Sequence, residues 1–118
     1  MKDIKIFDAE FKFMEIVWCE EPIRSGDLVK LADKELGWKK STTYTVIRRL
    51  VDRKILSNED SIVTSLVKKE EAQRAETEEL IDKVYGGSIK NFFSSFLQKE
   101  NLSKDDIEEL RRIVENLE

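Results

Sequence analysis

Apolar residues first recur at helical spacing. Phe11, Met14, Val17 and Trp18 share one side of a helix. Asp8 is placed to cap that helix, Phe7 sits just ahead of the cap as a hydrophobic staple, and Pro22 marks its end. A second helix is predicted from Ser25 as N-cap, with Leu28, Leu31, Ala32 and Leu36 as its buried stripe and Gly37 at the position where helices stop. A third begins near Ser41. At about 100° per residue, Thr43, Ile47, Leu50, Val51 and Lys54 cluster on one side, while Thr42, Thr45, Arg49 and Asp52 fall opposite, flanked by Ser41, Arg48 and Arg53.

After the third helix the period changes. Residues 55–57 and 62–67 read as two short strands around the acidic stretch 58–61, although the turn has no Asn-Gly or Asp-Gly pair and the alternation is imperfect. Three helices followed by a hairpin is the winged helix-turn-helix plan. The predicted fold is therefore mainly α with a small β wing, and residues 1–67 form its first domain. Residues 68–118 are predicted to be a helical tail. A charged helix over 68–85 carries Leu80, Ile81, Val84 and Tyr85 near its end, and Gly86 and Gly87 break it. Ile89, Phe92, Phe93, Phe96 and Leu97 then recur at helical spacing, as do Ile107, Leu110, Ile113, Val114 and Leu117 after a Ser103 to Asp106 capping box. Two short helices with such faces cannot bury them on each other alone, which favours pairing with a second copy of the chain.

Composition narrows the chemistry. At 118 residues, 40% hydrophobic and 39% charged, the chain has room for one compact domain and an appendage, and it is too apolar for disorder. No apolar run approaches the roughly 18 residues of a membrane helix, and the start lacks a signal-peptide core, so a cytoplasmic address is expected. There is no histidine and a single cysteine, so no metal, no cofactor and no disulfide is expected. Cys19, at the end of an apolar stretch, is expected to pack as a small hydrophobe. Paired carboxylates such as Glu70 with Glu71 and Asp105 with Asp106 lie in charge-rich helical stretches and read as solvated faces. No nucleophile, base and orienting group can be assembled, so no enzyme activity is expected.

The net charge of −4 conceals an asymmetry. Residues 1–54 hold 12 Lys and Arg against 10 Asp and Glu, a balance of plus 2, whereas residues 55–118 hold 9 against 15, a balance of minus 6. The basic excess concentrates at Lys39, Lys40, Arg48, Arg49, Arg53 and Lys54, opposed in that stretch by Asp52 alone. One basic element on an acidic protein is the footprint of a DNA reader. Hydroxyls interleaved with guanidinium groups suit a major groove, so Ser41, Thr42, Thr45, Arg48 and Arg49 are the candidate reading residues, with Lys39, Lys40 and Arg53 on phosphate. Taken alone, the same face also suits a merely solvated helix. A winged-helix protein-interaction module that no longer binds DNA, using its acidic surface and phenylalanine-rich tail, is the alternative.

Three stretches resemble the penicillinase repressors of the BlaI and MecI type. They are FKFMEIVW at residues 11–18, WKKSTTYTVIRRLVDRK at 38–54 with Thr42, Thr45, Arg49 and Leu50 at matching places, and LIDKVYGGSIK at 80–90, followed by Phe96 and IEEL at 107–110. The resemblance implies a homodimer that grips double-stranded palindromic operator DNA and blocks transcription, often of resistance or cell-wall genes. It also implies release by a membrane-bound sensor metalloprotease that cuts the tail, between an Asn and a Phe, in the helix after the Tyr-Gly-Gly turn. Here the matching pair is Ser95 and Phe96, and an Asn91 and Phe92 pair lies four residues earlier. The wing is about four residues shorter than is usual in that family and carries Glu59 and Asp60 where the family tends to place basic and aromatic residues, which predicts weak phosphate contacts from it. The C-terminal cysteine cluster of copper-responsive repressors of the same fold is missing.

Overall fold

A computed structural model of the chain describes residues 4–99 and 103–115. The elements run α1 (Asp8–Glu20), β1 (Ile23–Arg24), α2 (Ser25–Leu36), α3 (Lys40–Asp52), β2 (Leu56–Glu59), β3 (Ile62–Ser65), α4 (Lys69–Tyr85), α5 (Ile89–Lys99) and α6 (Lys104–Glu115). They divide into two compact units, Met1–Glu76 and Thr77–Glu118.

The first unit is built around the apolar stripes of its three leading helices. Phe13, Met14 and Val17 of α1, Leu28 and Ala32 of α2, and Val46, Ile47 and Leu50 of α3 are buried together with Leu56, Val63 and Val67 of the hairpin. The Phe13 ring stacks on Trp38, with centroids 5.4 Å apart and planes 16° from parallel. Trp18 is half-buried: Phe11 meets its ring edge-on at 5.6 Å, and its indole N–H donates to the Val67 carbonyl at 2.9 Å. That bond ties the end of the hairpin to α1. Cys19 is exposed, which corrects the expectation that it packs inside. Two residues beyond buried Val17, it is rotated about 200° to the opposite side of the helix.

The helix starts shift by one residue from the sequence expectation. Phe7, not Asp8, is the N-cap of α1, and the Glu10 carboxylate reaches back to accept the Phe7 backbone N–H at 3.0 Å. Arg24 caps α2, because Ser25 is drawn inside and its N–H donates to the Ser61 carbonyl at 2.8 Å. Lys39 caps α3, which starts at Lys40, one residue before the expected start. Gly37 closes α2 as predicted, at φ 70°.

The wing is a two-residue hairpin. Leu56 pairs with Ser65 and Glu59 with Ile62, leaving Asp60 and Ser61 as the turn at φ 52° and 62°. Positive φ at both positions is the pattern of a type I′ turn, which matches strand twist and which Asp tolerates better than most residues. Glu59 therefore lies in the strand rather than in a loop. The two-residue β1, too short to leave an alternating signal, pairs with β3 and makes the sheet three-stranded in the order β1-β3-β2.

In the second unit, α4 ends as predicted at the glycine pair. Gly86 and Gly87 have φ of 60° and 84°, and the Gly87 N–H reaches back to the Ile81 carbonyl at 3.1 Å. The Ser88 hydroxyl accepts the Asn91 N–H at 3.1 Å at the head of α5. The Ser103 hydroxyl and the Asp106 carboxylate form the predicted reciprocal capping box of α6. Tyr85, Phe92 and Phe93 form an edge-on aromatic chain with centroids 5.4 and 5.5 Å apart.

Lys54, which follows α3, sits at φ 62°, and the Ile55 N–H donates to the Leu50 carbonyl in the Schellman pattern that usually takes glycine. Lys54→Gly relieves the Cβ clash of the left-handed conformation and is expected to raise unfolding stability by about 0.5–1 kcal/mol, read as a higher urea midpoint at unchanged m-value.

Candidate nucleic-acid interface

Helix α3 has two different sides. Thr43, Val46, Ile47 and Leu50 are buried, while Lys40, Ser41, Thr42, Arg48, Arg49 and Asp52 are exposed, Thr45 is half-buried, and Lys39 is exposed at the cap. The structure thus places seven of the eight predicted DNA residues on one accessible surface around the first three turns of the helix. Thr43, the polar member of the buried side, is satisfied internally: its hydroxyl donates to the Lys39 carbonyl at 3.2 Å. The Thr45 hydroxyl donates to the Ser41 carbonyl at 2.9 Å, which uses its single proton and leaves its oxygen to accept.

Arg53 departs from the predicted set. Its Nη1 donates to the Lys5 carbonyl at 2.8 Å, its Nη2 to the Glu10 carboxylate, and its Nε to the Arg49 carbonyl at 3.3 Å. The guanidinium also lies 5.3 Å from the centre of the Phe7 ring. Buried Glu10 explains the pull, because a carboxylate removed from water needs a cation and donors. Where a phosphate contact was expected, the hydrogen-bond partners of the guanidinium are internal ones.

Two residues that sequence reasoning passed over join the surface. Tyr44, Ile47, Arg48 and Val51 of α3 and Asn58 of β2 line an open cavity of about 360 Å³ between helix and wing. Tyr44, Arg48 and Val51 are spaced i, i+4 and i+7, so the stripe was available in the sequence, but the packing of β2 beside it was not. The wing brings Glu59 and Asp60 to its tip, both exposed.

The predicted association residues of the tail divide into groups. Leu80, Val84, Ile89, Phe93, Ile107 and Leu110 are exposed large apolar side chains, and Ile113 joins them. Tyr85 and Phe92 are half-buried, and Ile81 is buried within the chain itself, so it does not belong to the open face. The side chains of Phe96, Leu97 and Val114 lie outside the described residues. Among the described residues, no group of three or more Cys, Asp or Glu could hold a metal ion, and no helix is long and apolar enough to cross a membrane.

Three helices, a short three-stranded antiparallel sheet and a basic, hydroxyl-bearing outer face on the third helix define a winged helix-turn-helix DNA-binding domain. The chain belongs to the penicillinase repressor family, whose model matches residues 6–116, and with that family it is a DNA-binding transcriptional repressor. It is 32% identical to the methicillin resistance regulatory protein MecI of Staphylococcus aureus strain Mu50, over 96% of this chain and 95% of that protein. The penicillinase repressor of Bacillus licheniformis is 25% identical over 98% of this chain and 94% of its own length. Among solved structures, the monomeric form of Bacillus licheniformis BlaI in complex with the blaP half-operator superposes with a TM-score of 0.52 at 25% identity, covering 60% of this chain and 93% of that one.

The acidic wing tip sets an electrostatic expectation. Glu59→Lys combined with Asp60→Asn, which keeps a residue tolerant of positive φ at the turn, is expected to tighten DNA binding and steepen the dependence of log K on log salt by about one unit. Anisotropy titrations over a salt series measure both.

Proposed function

We propose that the chain represses transcription as a homodimer, setting one α3 into each half of an inverted-repeat operator about one duplex turn, roughly 34 Å, apart. The observation that carries this reading is the division of α3 into a buried apolar side and an outer side bearing Thr42, Thr45, Arg48 and Arg49. In this reading Arg48 and Arg49 read guanine or anchor phosphate, Ser41 and Thr42 contact bases or backbone through their hydroxyls, and Lys39 and Lys40 hold phosphate at the helix start. Thr45, whose proton is engaged by the Ser41 carbonyl, contributes its methyl group and an acceptor. The protein acts by occupancy rather than by catalysis, in the cytoplasm. The functional division places DNA reading in residues 1–67 and association in 68–118.

The tail supplies affinity. Its open apolar side chains are covered by the same residues of a second copy, so two weak readers act as one bivalent ligand. Anything that separates the copies then releases the operator, and cleavage within α5 by a membrane-bound sensor metalloprotease, at Ser95-Phe96 or Asn91-Phe92, is one such event. Control of antibiotic-resistance genes follows the names of the relatives, and cell-wall genes are the other target class of this reading.

Selection of sites from a random duplex pool should recover an inverted repeat bound by two chains; weak, unenriched binding erased by salt would point instead to an interaction module. Arg49→Ala should keep the fold and cost about 1–3 kcal/mol of operator binding, with unchanged affinity removing Arg49 from the reading set. Leu110→Asp with Ile113→Asp should shift the protein to monomer in sedimentation and weaken operator binding by about 100-fold or more, leaving unspecific binding per chain unaltered.

A further inference from the structure

A repressor's recognition helix must be held at a fixed attitude, because a base contact fails when donor and acceptor miss by a fraction of an ångström. The start of α3 is left open to DNA, so its attitude is governed from the other end, where the structure concentrates its polar ties. Arg53 closes the helix there, and each of its three guanidinium nitrogens donates a hydrogen bond within the chain. One arm meets the carboxylate of buried Glu10 on α1, and another meets the Lys5 carbonyl 48 residues away in sequence. The second Glu10 oxygen accepts the Phe7 N–H at 3.0 Å, so one carboxylate joins the head of α1 to the end of α3. The Lys5 ammonium and the Arg53 guanidinium each lie 5.3 Å from the centre of the Phe7 ring. Buried Ile6 anchors the same arm in the core.

We propose that Arg53 is a positioning residue for operator recognition: with Glu10 it latches residues 5–7 across the end of α3, fixes the attitude of the recognition helix, and keeps its own charge off the DNA. The proposal rests on the reading of α3 as the DNA-reading helix, and it assigns the N-terminal arm and Glu10 a part in specificity although neither belongs to α3. Arginine suits this task, since its planar fork reaches a carboxylate and a carbonyl in fixed geometry, whereas lysine brings the same charge on a single nitrogen.

Charge and position make opposite forecasts. If Arg53 were a phosphate contact, Arg53→Lys would keep binding, Arg53→Gln would lower the salt slope by about one unit, and Glu10→Gln, which removes a negative charge, would tighten binding. If Arg53 positions the helix, all three variants weaken operator binding by at least about tenfold, the low end of what one charge-assisted hydrogen bond contributes. The salt slope and the affinity for unspecific duplex then stay at the values of the unmodified protein. The double variant Glu10→Gln with Arg53→Gln is no weaker than the worse single one.

The experiment is anisotropy titration of the full-length protein and these variants against the selected operator and a scrambled duplex at several salt concentrations. It is run well below every melting temperature, with the fold checked by circular dichroism. Should Arg53→Gln not fold, the near-isosteric Glu10→Gln carries the test alone, since the two forecasts differ in sign. Unchanged operator affinity in folded variants reduces the latch to a stability element and overturns the proposal, as does rescue by lysine with a slope that falls in Arg53→Gln. If the unmodified protein selects no operator, the functional reading itself falls and this role with it, an outcome visible before any variant is made.

Discussion

A helix that offers one side to DNA can be anchored only by the other, and in α3 that anchor is the stripe Thr43, Val46, Ile47 and Leu50. The three apolar members each contribute about 1.5–3 kcal/mol of transfer free energy, and Thr43 joins them without an unmet hydroxyl because the Lys39 carbonyl accepts its proton. Burial of that stripe sets which side of the helix faces inward, and polar ties refine its placement. The second half of the helix accordingly leads into the Arg53 latch and the left-handed Lys54.

The same need for fixed placement explains features that look accidental one at a time. Ser25 gives up a capping position to donate to the Ser61 carbonyl, and this fastens the wing turn to the start of α2. Glu21 accepts both the backbone N–H and the hydroxyl of Ser65, at 2.7 and 2.8 Å, from beside β1. Trp18 holds the end of the hairpin through Val67. Each tie joins a helix to the hairpin, because a four-residue strand pair is too short to hold itself. Among the described residues, no buried side-chain nitrogen or oxygen is left without a partner.

The helices of the first unit and the faces they bury were legible because period 3.6 survives in sequence: Leu28 and Ala32, or Ile47 and Leu50, can be read as core without coordinates. What escaped depends on contacts between segments far apart in the chain. Nothing near Arg53 announces Glu10, and a basic residue in a basic stretch reads as a DNA contact until its partner is seen. Ser25 and Asp8 carry correct local capping chemistry, overruled by Ser61 and by the reach of Glu10. Cys19 misled because an apolar neighbourhood in sequence is not one in space. The wing turn lacked glycine, yet two-residue closure followed once β3 was aligned on both its neighbours.

Charge explains why so small a reader needs a partner. The whole chain is at −4 while residues 1–54 are at plus 2, so the attraction of α3 for DNA is local and works against the protein's own field. With Arg53 turned inward and Glu59 and Asp60 at the wing tip, few cations remain to displace counterions, and affinity from phosphate neutralisation is correspondingly small per copy. In the proposed reading, discrimination is carried by the hydroxyl and guanidinium groups of α3, which act only at close range and in the right orientation. In the proposed dimer, joining two such readers raises affinity for paired half-sites far more than for random duplex, because the second helix gains from effective concentration only where a second half-site is in register. In that dimer, weak phosphate binding would sharpen the dependence of repression on the integrity of the tail, whereas a strongly basic wing would let separate chains cling to DNA.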